Sequence, residues 1–179
     1  MIETDRLILR GWREADIEPF AAMGADPRVM AHFPALLTRG ESIALVRRQQ
    51  AVLAAVGHCF WAIERKSDRA FLGFCGVQPG PEGTPIEGLA EIGWRLARNH
   101  WGQGYAAEAA QGSLAWAWAR TDTPRVYAIA PPRNERSRAL MRRIGMAQVR
   151  GGDFDHPRIT PGHPLRRCLF YVVERPGDA

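Results

Sequence analysis

The chain has 179 residues, 24 basic against 19 acidic for a net charge of +5, with 46% hydrophobic and 24% charged side chains. These are the proportions of an ordinary folded globule, and they exclude a collagen-like, disordered or disulfide-stapled chain. The length fits one domain over residues 1–179, and no apolar run approaches the ~20 residues that cross a bilayer, so no membrane partner is expected.

Residues 1–6 are charged at once and hold no apolar core, so no secretory signal is expected and the expected location is cytoplasmic. Residues 6–12 read as an opening strand. Residues 16–23 read as a helix, with Ile17, Phe20 and Ala21 at helical spacing. Asp26-Pro27 predicts a second short helix, since proline is tolerated in a first turn. Thr38 and Glu41 form a capping-box pattern ahead of a helix at 42–56, which Gly57 stops. The period then changes to two. Residues 59–64 and 70–77 read as a hairpin turned at 66–69. Residues 78–88 are rich in Pro and Gly and read as a loop, and 89–96 as the next strand. Residues 105–120 predict a helix of small side chains, followed by a buried strand at 126–130 and a helix at 135–144 that ends at Gly145. Strands are expected at 147–149 and 169–173, joined by a long loop rich in His, Pro and Gly. The class is α/β in the α+β sense: a central, mostly antiparallel sheet of about six to seven strands flanked by helices.

Three widely spaced cysteines (Cys59, Cys75 and Cys168) sit in apolar settings, with no Cys-x-x-Cys pair and no histidine cluster to complete a metal set. No metal is expected. All Lys and Arg residues except Lys66 are arginine, and they are spread along the chain. That balance favours anionic ligands and argues against nucleic acid as a partner.

Chemistry concentrates between residues 91 and 137. Alternation along 90–96 puts Ala90, Ile92, Trp94 and Leu96 on one face and Glu91, Gly93 and Arg95 on the other. A carboxylate beside a residue without a side chain leaves room for a ligand to approach the backbone. The run Trp101-Gly102-Gln103-Gly104-Tyr105-Ala106 then breaks straight into a helix. That order leaves bare N–H groups and a positive helix end at the mouth of the sheet, a seat for phosphates. The same run satisfies G-x-G-x-x-A, yet the preceding segment is not βαβ and no lysine completes a P-loop, so a dinucleotide reading is set aside. Farther on, Asn134 is a good helix cap and Ser137 lies one turn along.

With these pieces in place the chain resembles the GCN5-related N-acetyltransferases (GNAT), and among them the RimJ/RimL-like enzymes that acetylate N-terminal amines of ribosomal proteins. The resemblance runs from Thr4-Asp-Arg-Leu-Ile-Leu-Arg10 to Tyr171 and is carried by the glycine loop, by Asn134-x-x-Ser137 and by Ile144-Gly145-Met146. It implies a sheet splayed at the cofactor site, with acetyl-CoA as acyl donor. Backbone N–H groups of Trp101, Gly102, Gln103, Gly104, Tyr105 and Ala106 would hold its pyrophosphate, although Trp101 departs from the family's Gln or Arg. Trp94, Arg95 and Leu96 would line the pantetheine arm, and Asn134 and Ser137 would complete the cofactor site. Arg98, Arg133, Arg138 and Arg142 are candidates to neutralise phosphates. Many relatives carry a tyrosine four residues after the serine that protonates the leaving thiolate. Met141 stands there and cannot do so, which makes Ser137 the better candidate, with Tyr105 and Tyr127 behind it. Glu91 is the candidate base for the amine.

The implied partner is an amine acceptor, a peptide N-terminus or a small molecule, and the resemblance allows a homodimer. The alternative is a non-catalytic acyl-CoA-binding module. The loop over 153–164 either closes over the acceptor or is a rigid surface loop.

Overall fold

The computed structural model describes residues 1–177. Strand β1 (Ile2–Glu3) pairs with β2 (Leu7–Arg10), and a single 3-10 turn leads into α1 (Ile17–Gly24). Helix α2 (Arg39–Val56) follows, then β3 (Phe60–Arg65), β4 (Phe71–Pro79) and β5 (Ala90–Leu96). Helix α3 (Tyr105–Arg120), β6 (Arg125–Ala130) and α4 (Glu135–Arg143) precede β7 (Ala147–Gln148), β8 (Phe154–Asp155) and β9 (Arg167–Glu174). The sheet runs β1-β2-β3-β4-β5-β6-β9-β7, with β8 added on β9, and every pairing is antiparallel except β5 with β6.

Local chemistry accounts for the boundaries. Thr38 caps α2, its Oγ1 accepting from the Glu41 backbone N–H while the Glu41 carboxylate accepts from the Thr38 N–H; Gly57 closes the helix at φ 78°. The helix expected after Asp26 does not form. Asp26 instead accepts from the Arg28 N–H and its carbonyl from the Met30 N–H, one uncontinued turn that satisfies the backbone locally. The expected six to seven strands become nine among the described residues. The two additions, β1 and β8, are two-residue pieces too short to carry a period. The strand expected at 6–12 is trimmed to Leu7–Arg10 because Gly11 and Trp12 leave the sheet, the Trp12 indole donating to the Phe60 carbonyl.

The main core lies between the sheet and α3 and α4, built on Leu7, Leu9, Trp61, Ile92, Ala109, Ala110, Val126 and Tyr171. A second cluster of Trp12, Ile17, Phe20, Met23, Val46 and Ala62 seats α1 and α2 on the opposite face. A buried ion network ties the two ends of this face. Arg10 reaches Asp16 at 2.7 Å and Glu64 at 2.6 Å, with all three side chains under 10% exposed. No helix among the described residues is long and apolar enough to cross a membrane.

Candidate active site

Strand β5 is paired with β4 along its whole length, from Ala90 opposite Pro79 to Leu96 opposite Gly73. Its other edge meets β6 at a single register pair, Glu91 with Tyr127, after which the two strands part. The β5 edge from Gly93 onward is therefore without a ladder partner, which is an opening in the middle of the sheet rather than at its rim.

The glycine turn stands beside this opening. Gly102 and Gly104 hold φ of 75° and 82°, conformations that side-chain-bearing residues resist, and a Cβ on Gly102 would meet no atom beyond its chain neighbours within 4 Å. Gly104 is the N-cap of α3 and offers no side-chain acceptor, so the N–H groups of Tyr105, Ala106 and Ala107 emerge uncapped at the positive end of a 16-residue helix. The turn is held from outside. Arg6 donates through Nη1 to the Gln103 carbonyl at 3.0 Å and stacks on the Tyr105 ring at 4.5 Å. The Glu108 carboxylate accepts from Thr4 Oγ1 at 2.6 Å, the Arg6 N–H at 2.8 Å and Arg6 Nε at 2.7 Å. Thr4 and Arg6 thus serve to fix the first turn of α3, a role the sequence reading did not assign. Its signal was present as a lone acid one turn inside that helix.

Trp101 is half-buried, and its indole donates to the Leu96 carbonyl at 2.8 Å, closing the turn back onto β5. Arg136, on the first turn of α4, stacks over that indole at 4.7 Å. This contact brings Asn134 and Ser137 to the same mouth, where Asn134 Oδ1 accepts from the Ser137 N–H at 3.2 Å. Arg136 was not among the arginines singled out from sequence. Of those that were, Arg138 is engaged elsewhere, donating to Tyr171 Oη and the Pro132 carbonyl. Met141 is buried in the main core at 2% exposure, away from any proton-transfer task.

Trp94 and Leu96 face α3, while Arg95 faces α1 and α2 with Glu91, as alternation requires. The Arg95 side chain consequently lies off the strand edge, and only its backbone is on the opening. A Cβ at Gly93 would come within 2.7 Å of the Phe60 ring, so glycine there lets Phe60 lie flat against the strand and stack on Phe74.

Glu91 is 9% exposed, and burial pushes its carboxyl up from 4.5 to about 7. Its register partner Gln78 and the charge of Arg48 act in the opposite direction. Gln49 donates to Gln78 Oε1 at 3.0 Å, which leaves the Gln78 amide nitrogen for Glu91. Burial alone lowers the Arg95 guanidinium to about 10, and its Nε and Nη1 are buried without a hydrogen-bond partner.

The 153–164 loop is pinned rather than free. Strand β8 pairs with β9, Arg166 reaches Asp155 at 3.2 Å, and Phe154 packs on Phe170, which packs on Tyr127. It therefore backs the wall beside Glu91. No group of three or more His, Cys, Asp or Glu side chains among the described residues could hold a metal ion.

A family model described as acetyltransferase (GNAT) domain matches residues 6–147. YkkB of Bacillus subtilis, an uncharacterized protein, is 32% identical over 144 residues, 80% of this chain and 83% of its own length. A crystal structure of an acetyltransferase from Agrobacterium tumefaciens superposes with a TM-score of 0.78 and 26% identity, covering 97% of this chain and 93% of that one. RimL, a ribosomal L7/L12 alpha-N-protein acetyltransferase solved in complex with coenzyme A, shares the fold at a TM-score of 0.74 and 17% identity, covering 96% and 95%. With the split in the sheet, the glycine turn and a family match over most of its length, the chain belongs to the GNAT acetyltransferase family.

Proposed function

We propose that the chain transfers the acetyl group of acetyl-CoA to a primary amine, a peptide N-terminus or a small molecule, in the cytoplasm. The observation that carries this reading is the single β5–β6 register pair opening directly beside the uncapped start of α3. The amides of Tyr105 to Ala107, with those of the Gly102–Gly104 turn, suit a pyrophosphate, and Arg136 adds a cation at the same mouth. The free edge of β5 suits the pantetheine arm, whose amides can pair with it as an added strand. RimL, with coenzyme A bound, supports the donor assignment by its shared fold.

Direct transfer needs few groups. Glu91, poised near neutrality, takes a proton from the acceptor's ammonium, which frees the nitrogen lone pair. That nitrogen attacks the thioester carbonyl, and a backbone N–H of β5 steadies the oxygen as it becomes negative. The carbon–sulfur bond then breaks, the thiolate takes the Ser137 hydroxyl proton, and the second proton of the attacking nitrogen passes to Ser137 as the amide forms, while Glu91 returns its proton to water. Coenzyme A and an acetylated amine leave.

The buried Met141 keeps the binding-module alternative in view, because the position has no acid. Free thiol release from acetyl-CoA, measured over a panel of amines and peptides, separates the two. Thiol release that depends on an amine supports transfer. Thermal stabilisation by acetyl-CoA with no thiol release on any acceptor refutes it.

A further inference from the structure

Between the sheet and the α1–α2 pair lies a cavity of about 150 Å³, walled by Trp12, Phe20, Leu45, Phe60 and Phe74. Its rings form one cluster: Trp12 and Phe20 at 5.0 Å, Phe20 and Phe74 at 6.2 Å, and Phe60 stacked on Phe74 at 5.5 Å. These are separations at which aromatic pairs attract, so a further ring would extend the same packing. The volume agrees with that occupant, since an apolar protein cavity of roughly 150 Å³ holds one benzene molecule.

Most of the polar lining is already engaged. The Trp12 indole donates to the Phe60 carbonyl, Gln49 Oε1 accepts from the Phe60 N–H, and Gln78 Oε1 accepts from Gln49. Glu91 lies behind Gln78, its register partner, and does not line the cavity. Arg95 is the exception. Its Nε and Nη1 are buried without a hydrogen-bond partner, and no carboxylate lies against it among the described residues. Burial lowers the guanidinium only to about 10, so it is charged at neutral pH. By contrast, the buried guanidinium of Arg10 is matched by Asp16 and Glu64. Stacking orients Arg95: its Cζ stands 3.9 Å from the centre of the Phe33 ring and 5.4 Å from that of Phe74, its partner across the ladder. Arg48 brings a second guanidinium to the lining, and no carboxylate among the described residues lines it. An aromatic box thus ends on a fixed, unmatched cation.

We propose that this cavity binds an aromatic carboxylate, with the ring in the aromatic box and the acid on Arg95. A planar acid suits the in-plane donors of a guanidinium. The charge-assisted hydrogen bond it accepts supplies the pairing that the described residues leave out. A carboxamide of the same shape lacks that charge. Two sources carry this chemistry: a free aromatic acid, or an acceptor whose far end bears one. Only the second source rests on the acetyl-transfer reading.

Calorimetry on the wild-type protein tests the proposal without any variant, comparing benzoate and phenylacetate with benzamide and phenylacetamide. Each acid should bind about 10-fold or more tighter than its amide, the order of one charge-assisted hydrogen bond. Acetate, which has the charge without the ring, should bind more weakly than either aromatic acid. Arg95→Met should remove the preference for acid over amide. Leu45→Trp, which fills the box from α2, should remove binding of both, and unfolding curves check that each variant is folded. Equal affinity of acid and amide, acetate matching the aromatic acids, or no binding of either acid overturns the proposal. The thiol-release assay separates the sources. An acid that competes with the amine marks the cavity as the seat of the acceptor's far end, and one that binds without affecting transfer marks a separate ligand site; either upholds the assignment. No thiol release on any amine refutes acetyl transfer and leaves the calorimetric result standing.

Discussion

At Glu91 one physical cause, loss of water around a carboxylate, sets both its fitness for the proposed role as base and a cost in stability. A base must be unprotonated to work, and its carboxyl is pushed up to about 7, so kcat/KM should climb as pH rises through about 7. Glu91→Gln should lower kcat/KM by about 10²-fold above that point and erase the ionisation from the profile. An unchanged pH profile removes Glu91 as the base. The same shift has a sign for stability. The native state holds this proton more tightly than the unfolded chain does, so its contribution is complete below about 4.5 and is lost as pH rises through about 7. Glu91→Gln should therefore raise Tm at pH 8 more than at pH 5, which calorimetry at the two pH values checks. On the proposed reading Ser137 protonates the leaving thiolate, so Ser137→Ala should slow transfer by about 10²-fold with little change in the affinity for acetyl-CoA. Full activity in that variant gives the proton to water or to another group.

At the scale of elements, the proposed cofactor seat is the junction of β5 with α3. Gly104 combines φ of 82°, a Cβ position 3.3 Å from Arg6 Nη2, and the capping place on the helix. Gly104→Glu should abolish stabilisation by acetyl-CoA, because a side chain and a negative charge would stand where the proposed reading seats the pyrophosphate. Thermal unfolding with and without acetyl-CoA reads this directly. Wild-type protein should gain about 2.7 kcal/mol at 100 times Kd, and the variant should gain none. This junction was also the most legible part of the sequence. The two glycines, the abrupt start of α3 at Tyr105 and the alternation that divides Trp94 from Arg95 all follow from local rules, and the structure has each of them. The clamp of Arg6, Thr4 and Glu108 was not legible, because its partners lie about 100 residues apart and no local period links them. Arg136 was missed for a related reason. One arginine among several on α4 gains its meaning only from the indole it stacks on.

Across the whole molecule, two helical layers are held to one split sheet by different means. The α3–α4 side is a packed apolar core. The α1–α2 side carries a cavity and relies on the Arg10–Asp16–Glu64 network to anchor the chain entering α1. Removing one member of a buried ion network strands the others, so Arg10→Met should destabilise the fold by about 3–5 kcal/mol in urea unfolding, leaving the glycine turn's geometry unaltered. A loss below about 1 kcal/mol would mean the two carboxylates are solvated in the native state. Arg95 is the contrasting case, a buried cation on the same face with no carboxylate against it among the described residues.

By itself the sequence determined the alternation of β5, the helices α2, α3 and α4 with their caps, the hairpin of β3 and β4, and the family resemblance that the match over residues 6–147 bears out. All of these depend on neighbours within a few positions, where spacing and backbone preference suffice. Tertiary structure alone decided that β5 and β6 meet at one pair and part, that Glu91 is dry enough to titrate near neutrality, and that Arg95 is left without a counter-charge. Desolvation and strand separation depend on what the rest of the chain packs against a residue, and no local pattern carries that information.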